Sequence, residues 1–359
     1  MENLIQIVFF PLLLSFLVTV ASTPLALHFL KKFKVIDDPS KHKHPAIIHK
    51  KPTPRGGGIP LFLGAFVGSL VFLPMDKIMV SALIAGFISL VIGVLDDKFD
   101  LSPYFRFLVN IVCAVLVVLM GATIPFITNP FGGILFLNHF HLPFSQALSV
   151  PFLSDVIAVL WIVWVMNMLN WSKGVDGQMP GIVAISAIII GVLSLRFYPL
   201  DLNAATAATL SFIIAGASLG FLIFNFYPAK IFPGYGATSI YLLLAVASIM
   251  SGAKLATAIL VMGVPMTDGL FTIVRRLFSG KSPFWHDKKH LHHLLLSLGL
   301  SQRKIALFYW LVSAILGAIS LFLSSKGKLF AIIMLLILVG GAILFLHLMI
   351  NRQNDKVNL

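Results

Sequence analysis

Ile78–Leu95, IMVSALIAGFISLVIGVL, is eighteen consecutive residues without a charge, and it runs directly into Asp96-Asp97. As a helix rising about 1.5 Å per residue it covers roughly 27 Å, close to the ~30 Å hydrocarbon thickness of a bilayer. Similar stretches occupy 4–30, 58–75, 106–127, 152–170, 180–198, 206–224, 238–251, 254–272, 305–324 and 328–350, which predicts eleven transmembrane helices. The expected fold is therefore an all-α polytopic membrane protein, one transmembrane domain over 1–351 with a short tail, 352–359. Composition demands the same solvent: 58% of the 359 residues are hydrophobic and 11% charged, and the mean hydropathy is +0.99. That leaves too little polar surface to cover a water-soluble core of this size. The first run continues to Leu30 and is followed by Lys31, Lys32 and Lys34, without a small-residue cleavage site, and reads as a retained helix. The lone Cys113 excludes an intrachain disulfide or a cysteine metal site.

The net charge of +13 would suggest nucleic acid in a soluble protein, but here its distribution follows the spans. Alternate loops 31–57, 96–106, 171–179, 225–237 and 273–304, with the tail after 350, hold 21 of the 26 Lys and Arg; the other set holds five. Cytoplasmic loops are enriched in Lys and Arg, so the expected N-terminus is outside and the C-terminus cytoplasmic. The acids and histidines gather on that same side, and the span interiors are nearly free of charge. A transporter places essential ionisable groups near the bilayer midplane. The pattern favours an interfacial enzyme with a soluble substrate.

Asp96, Asp97 and, a turn later, Asp100 close the second of these spans to be followed by a basic loop. Adjacent carboxylates repel; a divalent cation bridged to phosphate is one reason to hold them together, a solvated helix end the other. The run His286-Asp-Lys-Lys-His290-Leu-His292-His293, with Arg275, Arg276 and Lys281 nearby, is a dense donor surface suited to a diphosphate, and lacks a clear zinc-ligand spacing. Lys50-Lys51-Pro-Thr53-Pro-Arg55-Gly-Gly-Gly58 offers backbone amides and cations to phosphate, or serves as a joint. Asn167 and Asn170 lie three apart on one helical face before Gly174-Val-Asp176-Gly177, as ligands or as caps.

Taken in order, these segments resemble the polyprenyl-phosphate N-acetylhexosamine-1-phosphate transferases over about residues 35–300. Leu95–Pro103 is similar to that family's aspartate-rich motif, Asn167–Gly177 to its Asn-x-x-Asn-x-x-Asp-Gly-x-Asp-Gly loop, and Pro228–Phe232 to its fourth signature. Gly280–Phe284 with His290–His293 resembles the histidine motif of the priming branch more than that of the peptidoglycan branch. The resemblance implies transfer of a sugar 1-phosphate, GlcNAc-1-phosphate for the priming branch, from a UDP-sugar to undecaprenyl phosphate with release of UMP, at the cytoplasmic face of the inner (plasma) membrane. It implies Asp96, Asp97 and Asp176 as catalytic residues and Mg²⁺ as cofactor at Asp97 and Asp176. Lys50, Lys51, Thr53, Asn167, Asn170, Phe232, Arg275, Arg276, His290, His292 and His293 would bind substrate, Phe232 against the uracil, and a homodimer is implied. Two positions depart from the pattern. Lys173 stands where the family has the first Asp of its Asn-x-x-Asn loop, and Tyr235 where it has an Asp, which is expected to weaken metal binding because affinity follows the number of anionic oxygens. A binding homologue without turnover, or a transporter of lipid-linked sugar, are the competing functions. Gly263 and Pro265 predict a bend in the ninth span, opening a groove for a lipid tail.

Overall fold

The structure, a computed structural model, describes residues 4–40, 48–49, 51–129, 132–139, 142–145, 148–150, 152–198, 202–252, 255–285 and 287–357. Lys50, His42, His44 and His286 lie outside them. Thirteen helices are described: α1 Ile5–Lys32, α2 Gly58–Phe72, α3 Lys77–Phe99, α4 Pro103–Leu119, α5 Phe152–Trp171, α6 Gln178–Leu195, α7 Leu202–Asn225, α8 Thr238–Met250, α9 Leu255–Val261, α10 Gly263–Phe278, α11 Leu291–Ser297, α12 Gln302–Ser320 and α13 Ser325–Val357. Seven of them, α1, α3, α5, α6, α7, α12 and α13, are long and apolar enough to cross a membrane, and the bent pair α9–α10 raises this to eight. The protein is thus an all-α polytopic membrane protein. The three other expected spans fall on shorter apolar helices, α2, α4 and Tyr235–Met250. α2 stops at Phe72 because Leu73, extended at ψ 146°, precedes Pro74, and a residue before proline disfavours the helical region.

Close packing of α1 against α7 rests on Gly216-Ala-Ser-Leu-Gly220. A Cβ at Gly216 would stand 2.1 Å from the Leu12 carbonyl, and one at Gly220 2.7 Å from that of Phe16. Small residues four apart allow this backbone approach, which in lipid replaces the hydrophobic drive available in water. At the centre lies α8, buried at every residue from Thr238 to Ile249 and packed on α3, α5 and α7. Two of its hydroxyls are paired across helices: Thr238 with Ser89 at 2.7 Å, and Ser248 Oγ accepting from Trp161 Nε1 at 2.9 Å.

The expected bend is present. α9 and α10 meet at 84°, with Gly263 and Pro265 just past the break. A Cβ at Gly263 would lie 2.2 Å from the Leu335 side chain of α13, so the corner is pinned closely. Beyond it, α10 buries Asp268, Thr272 and Arg276 and exposes Val274, Leu277 and Phe278. That two-sided distribution is the pattern of a helix lying along a membrane interface. The charge-free segment after α4, expected only as an external loop, contains two short antiparallel hairpins: β3 Phe126–Thr128 with β4 Ile134–Phe136, and β5 Leu142–Ser145 with β6 Leu148–Val150. Nearer the site, β1 Ile36–Asp37 pairs with β2 Thr53–Pro54.

Candidate active site

The end of α3 carries two adjacent carboxylates with different tasks. Asp96, 2% exposed, receives both contacts of the Arg106 guanidinium, 3.0 and 2.9 Å, and the Leu101 amide at 3.0 Å. It anchors the turn from α3 into α4. Asp97, its side chain fully buried, is held through Oδ1 by Arg55 Nε at 2.8 Å and by the Tyr235 amide at 2.8 Å. Its other oxygen, Oδ2, has no hydrogen-bond partner among the described residues. An orphaned buried carboxylate oxygen is costly unless a ligand or cation meets it.

The loop that presses on Asp97 comes from β2 and the segment before α8. Phe232 donates its amide to the Pro54 carbonyl and accepts from the amides of Gly56 and Gly57. Gly234 then turns at φ +68°, where a Cβ would stand 1.9 Å from Asp97 Oδ2. Glycine satisfies both demands, backbone and space. Its carbonyl accepts from Lys173 Nζ at 2.8 Å. Tyr235 forms the wall between cations: Arg106 lies 5.0 Å and Lys173 5.7 Å from its ring centre, and its hydroxyl accepts from Asn110 at 3.0 Å. Burial, and next Arg55, bring the half-buried Lys173 ammonium down to about 7.

A second cluster sits one contact away, because a Cβ on Gly174 would lie 1.9 Å from His292 Nε2. His290 Nδ1 is 2.8 Å from Asp268 Oδ2, and Oδ1 of the same carboxylate accepts the Leu291 amide. His290 stacks on His292 with centroids 5.6 Å apart, and His292 contacts His293 at 4.3 Å. Burial and the neighbouring imidazoles hold His292 well below the usual histidine range and His293 at about 4. Arg275 and Arg276, expected at substrate, both bind Asp287 Oδ2, at 2.9 and 3.1 Å. Burial opposes ionisation of Asp287, but the Lys289 amide and these guanidiniums outweigh it and bring it down to about 2. The arginines therefore clamp the histidine loop, and Arg276 also covers Trp171 at 5.5 Å.

The other expected residues are distributed around these clusters. Asp176, raised above its ordinary value by burial, accepts the Ala229 amide through Oδ2 at 2.9 Å. Phe232 meets His49 edge to face at 4.9 Å. Thr53 is buried and bonds the Lys51 carbonyl, while Lys51 is exposed. Asn167 donates to the Val163 carbonyl within its own helix, and the buried Asn170 Oδ1 has no partner among the described residues. Arg106 was not among the expected site residues, and Arg55 was expected only as a cation of the glycine-rich loop. A cation at the start of an apolar helix, such as Arg106, was the available signal, since a charge at membrane depth needs a partner.

The carboxylates do not make a set for a resident divalent cation. No group of three or more His, Cys, Asp or Glu able to hold a metal occurs among the described residues. Asp96 is occupied by Arg106, Asp176 is turned to Ala229, and Asp97 keeps one free oxygen beside Arg55 and Lys173. The expected Mg²⁺ site at Asp97 and Asp176 is thus poor in anionic oxygens.

A buried carboxylate flanked by Arg55 and Lys173 beside stacked histidines, in an all-α membrane protein, makes a site suited to anionic groups. A family model described as glycosyl transferase family 4 matches residues 79–252. The chain is 30% identical over 346 residues, 94% of its length and 90% of the relative's, to a Bacillus subtilis (strain 168) protein named "Probable undecaprenyl-phosphate N-acetylglucosaminyl 1-phosphate transferase". It is 33% identical over 342 residues, 86% of its length and 81% of the relative's, to the decaprenyl-phosphate N-acetylglucosaminephosphotransferase of Mycobacterium tuberculosis (strain ATCC 25618 / H37Rv). To the undecaprenyl-phosphate alpha-N-acetylglucosaminyl 1-phosphate transferase of Pasteurella multocida (strain Pm70) it is 29% identical over 354 residues, 93% and 91% of the two chains. This chain belongs to glycosyl transferase family 4, the polyprenyl-phosphate N-acetylhexosamine-1-phosphate transferases, and is a multi-pass membrane phosphotransferase. Transferases of this family are generally metal-dependent, which makes the cation-rich Asp97 centre its notable departure.

Proposed function

We propose that the protein transfers GlcNAc-1-phosphate from UDP-GlcNAc to undecaprenyl phosphate at the cytoplasmic face of the inner (plasma) membrane. The observation that carries this reading is the convergence of Arg55 and Lys173 on Asp97, with Arg106 on the adjacent Asp96, one contact from the histidine cluster. In the reaction an oxygen of the lipid phosphate attacks the β-phosphorus of the nucleotide sugar. The bond from that phosphorus to the bridging oxygen breaks, and UMP leaves with the oxygen and its electron pair. Two anions must meet, so the protein's work is to hold them in line and offset their repulsion. The three basic side chains suit that task, and His290, oriented by Asp268, can donate from Nε2 to phosphate when protonated.

The lipid has a matching place. Inside the corner of α9 and α10 a cavity of about 330 Å³ is lined by Trp161, Trp164, Ile259, Met266, Leu270 and Leu335. Its apolar walls suit a polyprenyl tail, with the phosphate led along α10 toward Asp268 and His290. A second cavity, about 550 Å³, lies between α11 and α13 and presents Lys288, Lys289, His293 and His347, which suits an anionic occupant. The excess of Lys and Arg on alternate loops supports the cytoplasmic placement of the site. Mg²⁺, implied by the resemblance, finds Asp97 Oδ2 as the buried carboxylate oxygen without a partner among the described residues, and no step is assigned to it.

Sugar-labelled UDP-GlcNAc and undecaprenyl phosphate, incubated with purified protein, test the reading. Label is expected to move into the organic phase with an equal amount of UMP appearing in the aqueous phase. Label that stays in the aqueous phase, with the nucleotide intact, would contradict it.

A further inference from the structure

We propose that the Lys173 ammonium is the resident cation of this centre, neutralising the diphosphate during transfer, so that turnover does not depend on a divalent metal ion. The inference rests on the transferase reading above and adds to it the identity of the charge that makes the site attractive to an anion.

Charge balance is the first support. Around Asp97 the paired groups are Arg55 with Asp97 and Arg106 with Asp96, and Lys173 is the cation left over. A centre made of free carboxylates repels a diphosphate until a metal reverses its sign. Here Asp97 and Asp96 are already paired with arginines and Lys173 adds a third cation beside them, with Asp37 and Asp100 also acting on Arg55.

Placement is the second support. Lys173 Nζ is fixed on the Gly234 carbonyl at 2.8 Å, and Gly234 is the residue whose missing Cβ makes room for Asp97 Oδ2. The ammonium and the orphaned oxygen thus both border Gly234. One N–H of the ammonium is used by Gly234, which leaves two donors for phosphate oxygens. Tyr235 offers its ring face to Lys173 and Arg106 and its hydroxyl to Asn110. It stabilises cations through its ring and supplies no carboxylate, so the surroundings are built for an ammonium. Burial already strips water from the ammonium and disfavours its charge, and an arriving diphosphate opposes that effect and favours the charged form. During transfer, negative charge grows on the oxygen departing with UMP, and a fixed donor aimed at growing charge lowers the barrier.

The experiment compares UMP release by wild type, Lys173→Ala and Lys173→Arg in EDTA and in Mg²⁺, with undecaprenyl phosphate and UDP-GlcNAc. It also records thermal stabilisation by UDP-GlcNAc in EDTA, which reads binding without turnover. Wild type is expected to release UMP and to be stabilised in EDTA. Lys173→Ala should lose about 100-fold in rate, the usual size for removing one preorganised donor, and regain part of it with added methylammonium, a rescue that a misfolded variant cannot show. Lys173→Arg should retain more rate than Lys173→Ala. Wild type silent in EDTA and active in Mg²⁺, with Lys173→Ala equally active in Mg²⁺, would overturn the assignment of the cation while leaving the transferase reading intact. No lipid-dependent UMP from wild type under either condition would overturn both.

Discussion

Asp97 owes its position to residues far away in the chain: Arg55 and the Tyr235 amide fix one oxygen, and Gly234 makes room for the other. Gly234→Ala is expected to abolish activity, because its Cβ would overlap Asp97 Oδ2 and the backbone at φ +68° strains any β-carbon. A transfer assay on the membrane-inserted variant checks this. Arg106→Ala should be among the most destabilising single changes at the site, by about 3–5 kcal/mol, since it leaves the buried Asp96 carboxylate unpaired; detergent melting curves measure it. Lys173 predicts a pH signature. Its ammonium sits at about 7 in the fold against the ordinary lysine value of 10.5. Between those values the unfolded chain binds more protons, so stability rises with pH across that window. Lys173→Met should be more stable than wild type near pH 7 and show a flatter slope up to pH 10. Nucleotide binding should run the opposite way in wild type, tightening as pH falls through 7 and the ammonium fills. Melting temperatures with and without UDP-GlcNAc, taken from pH 6.5 to 9.5, separate the two effects.

Helices α9 and α10 are bent by 84°, and their corner lines the apolar cavity proposed for the lipid tail. Gly263→Leu would force a side chain against Leu335 and crowd the cavity below it. The expected result is a raised KM for polyprenyl phosphate with UDP-GlcNAc stabilisation unchanged; equal losses for both substrates would contradict the groove. The bend was legible in the sequence because Gly263 and Pro265 interrupt an apolar run, and proline removes a backbone donor wherever it stands. The apolar stretches gave nearly every helix, since length and hydropathy are local properties. The hairpin of β3 and β4 was not legible: Phe126–Thr128 and Ile134–Phe136 are three-residue strands, too short for periodicity to reveal. Among site residues, the aspartate pair and the histidine run announced themselves as dense local clusters. Arg55, Arg106 and Asp268 did not, because each gains its meaning from a partner brought by folding, Asp97, Asp96 and His290 respectively. Arg275 and Arg276 looked like phosphate ligands for the converse reason, and the fold turns them to Asp287.

On the scale of the whole molecule, a bundle with a buried central helix, α8, exposes large apolar side chains on many of its outer helices, and most of its Lys and Arg fall on alternate loops. The bias of Lys and Arg toward alternate loops predicts which end faces the cytoplasm. A cysteine placed at Lys288 in a Cys113→Ser background should react with a membrane-impermeant maleimide in inside-out vesicles and not in intact cells; the reverse labelling would invert the orientation. On the proposed reading, the polar end meets a soluble nucleotide sugar from one side and the phosphate of a membrane-bound lipid from the other, with Asp97, Arg55 and Lys173 between them. The measurement that bears most directly on this account is lipid-dependent UMP release by wild type beside Asp97→Asn. Release by wild type that falls to background in Asp97→Asn, with the variant still folded and stabilised by UDP-GlcNAc, is the predicted result. Undiminished release by Asp97→Asn would contradict the placement of the chemistry at Asp97.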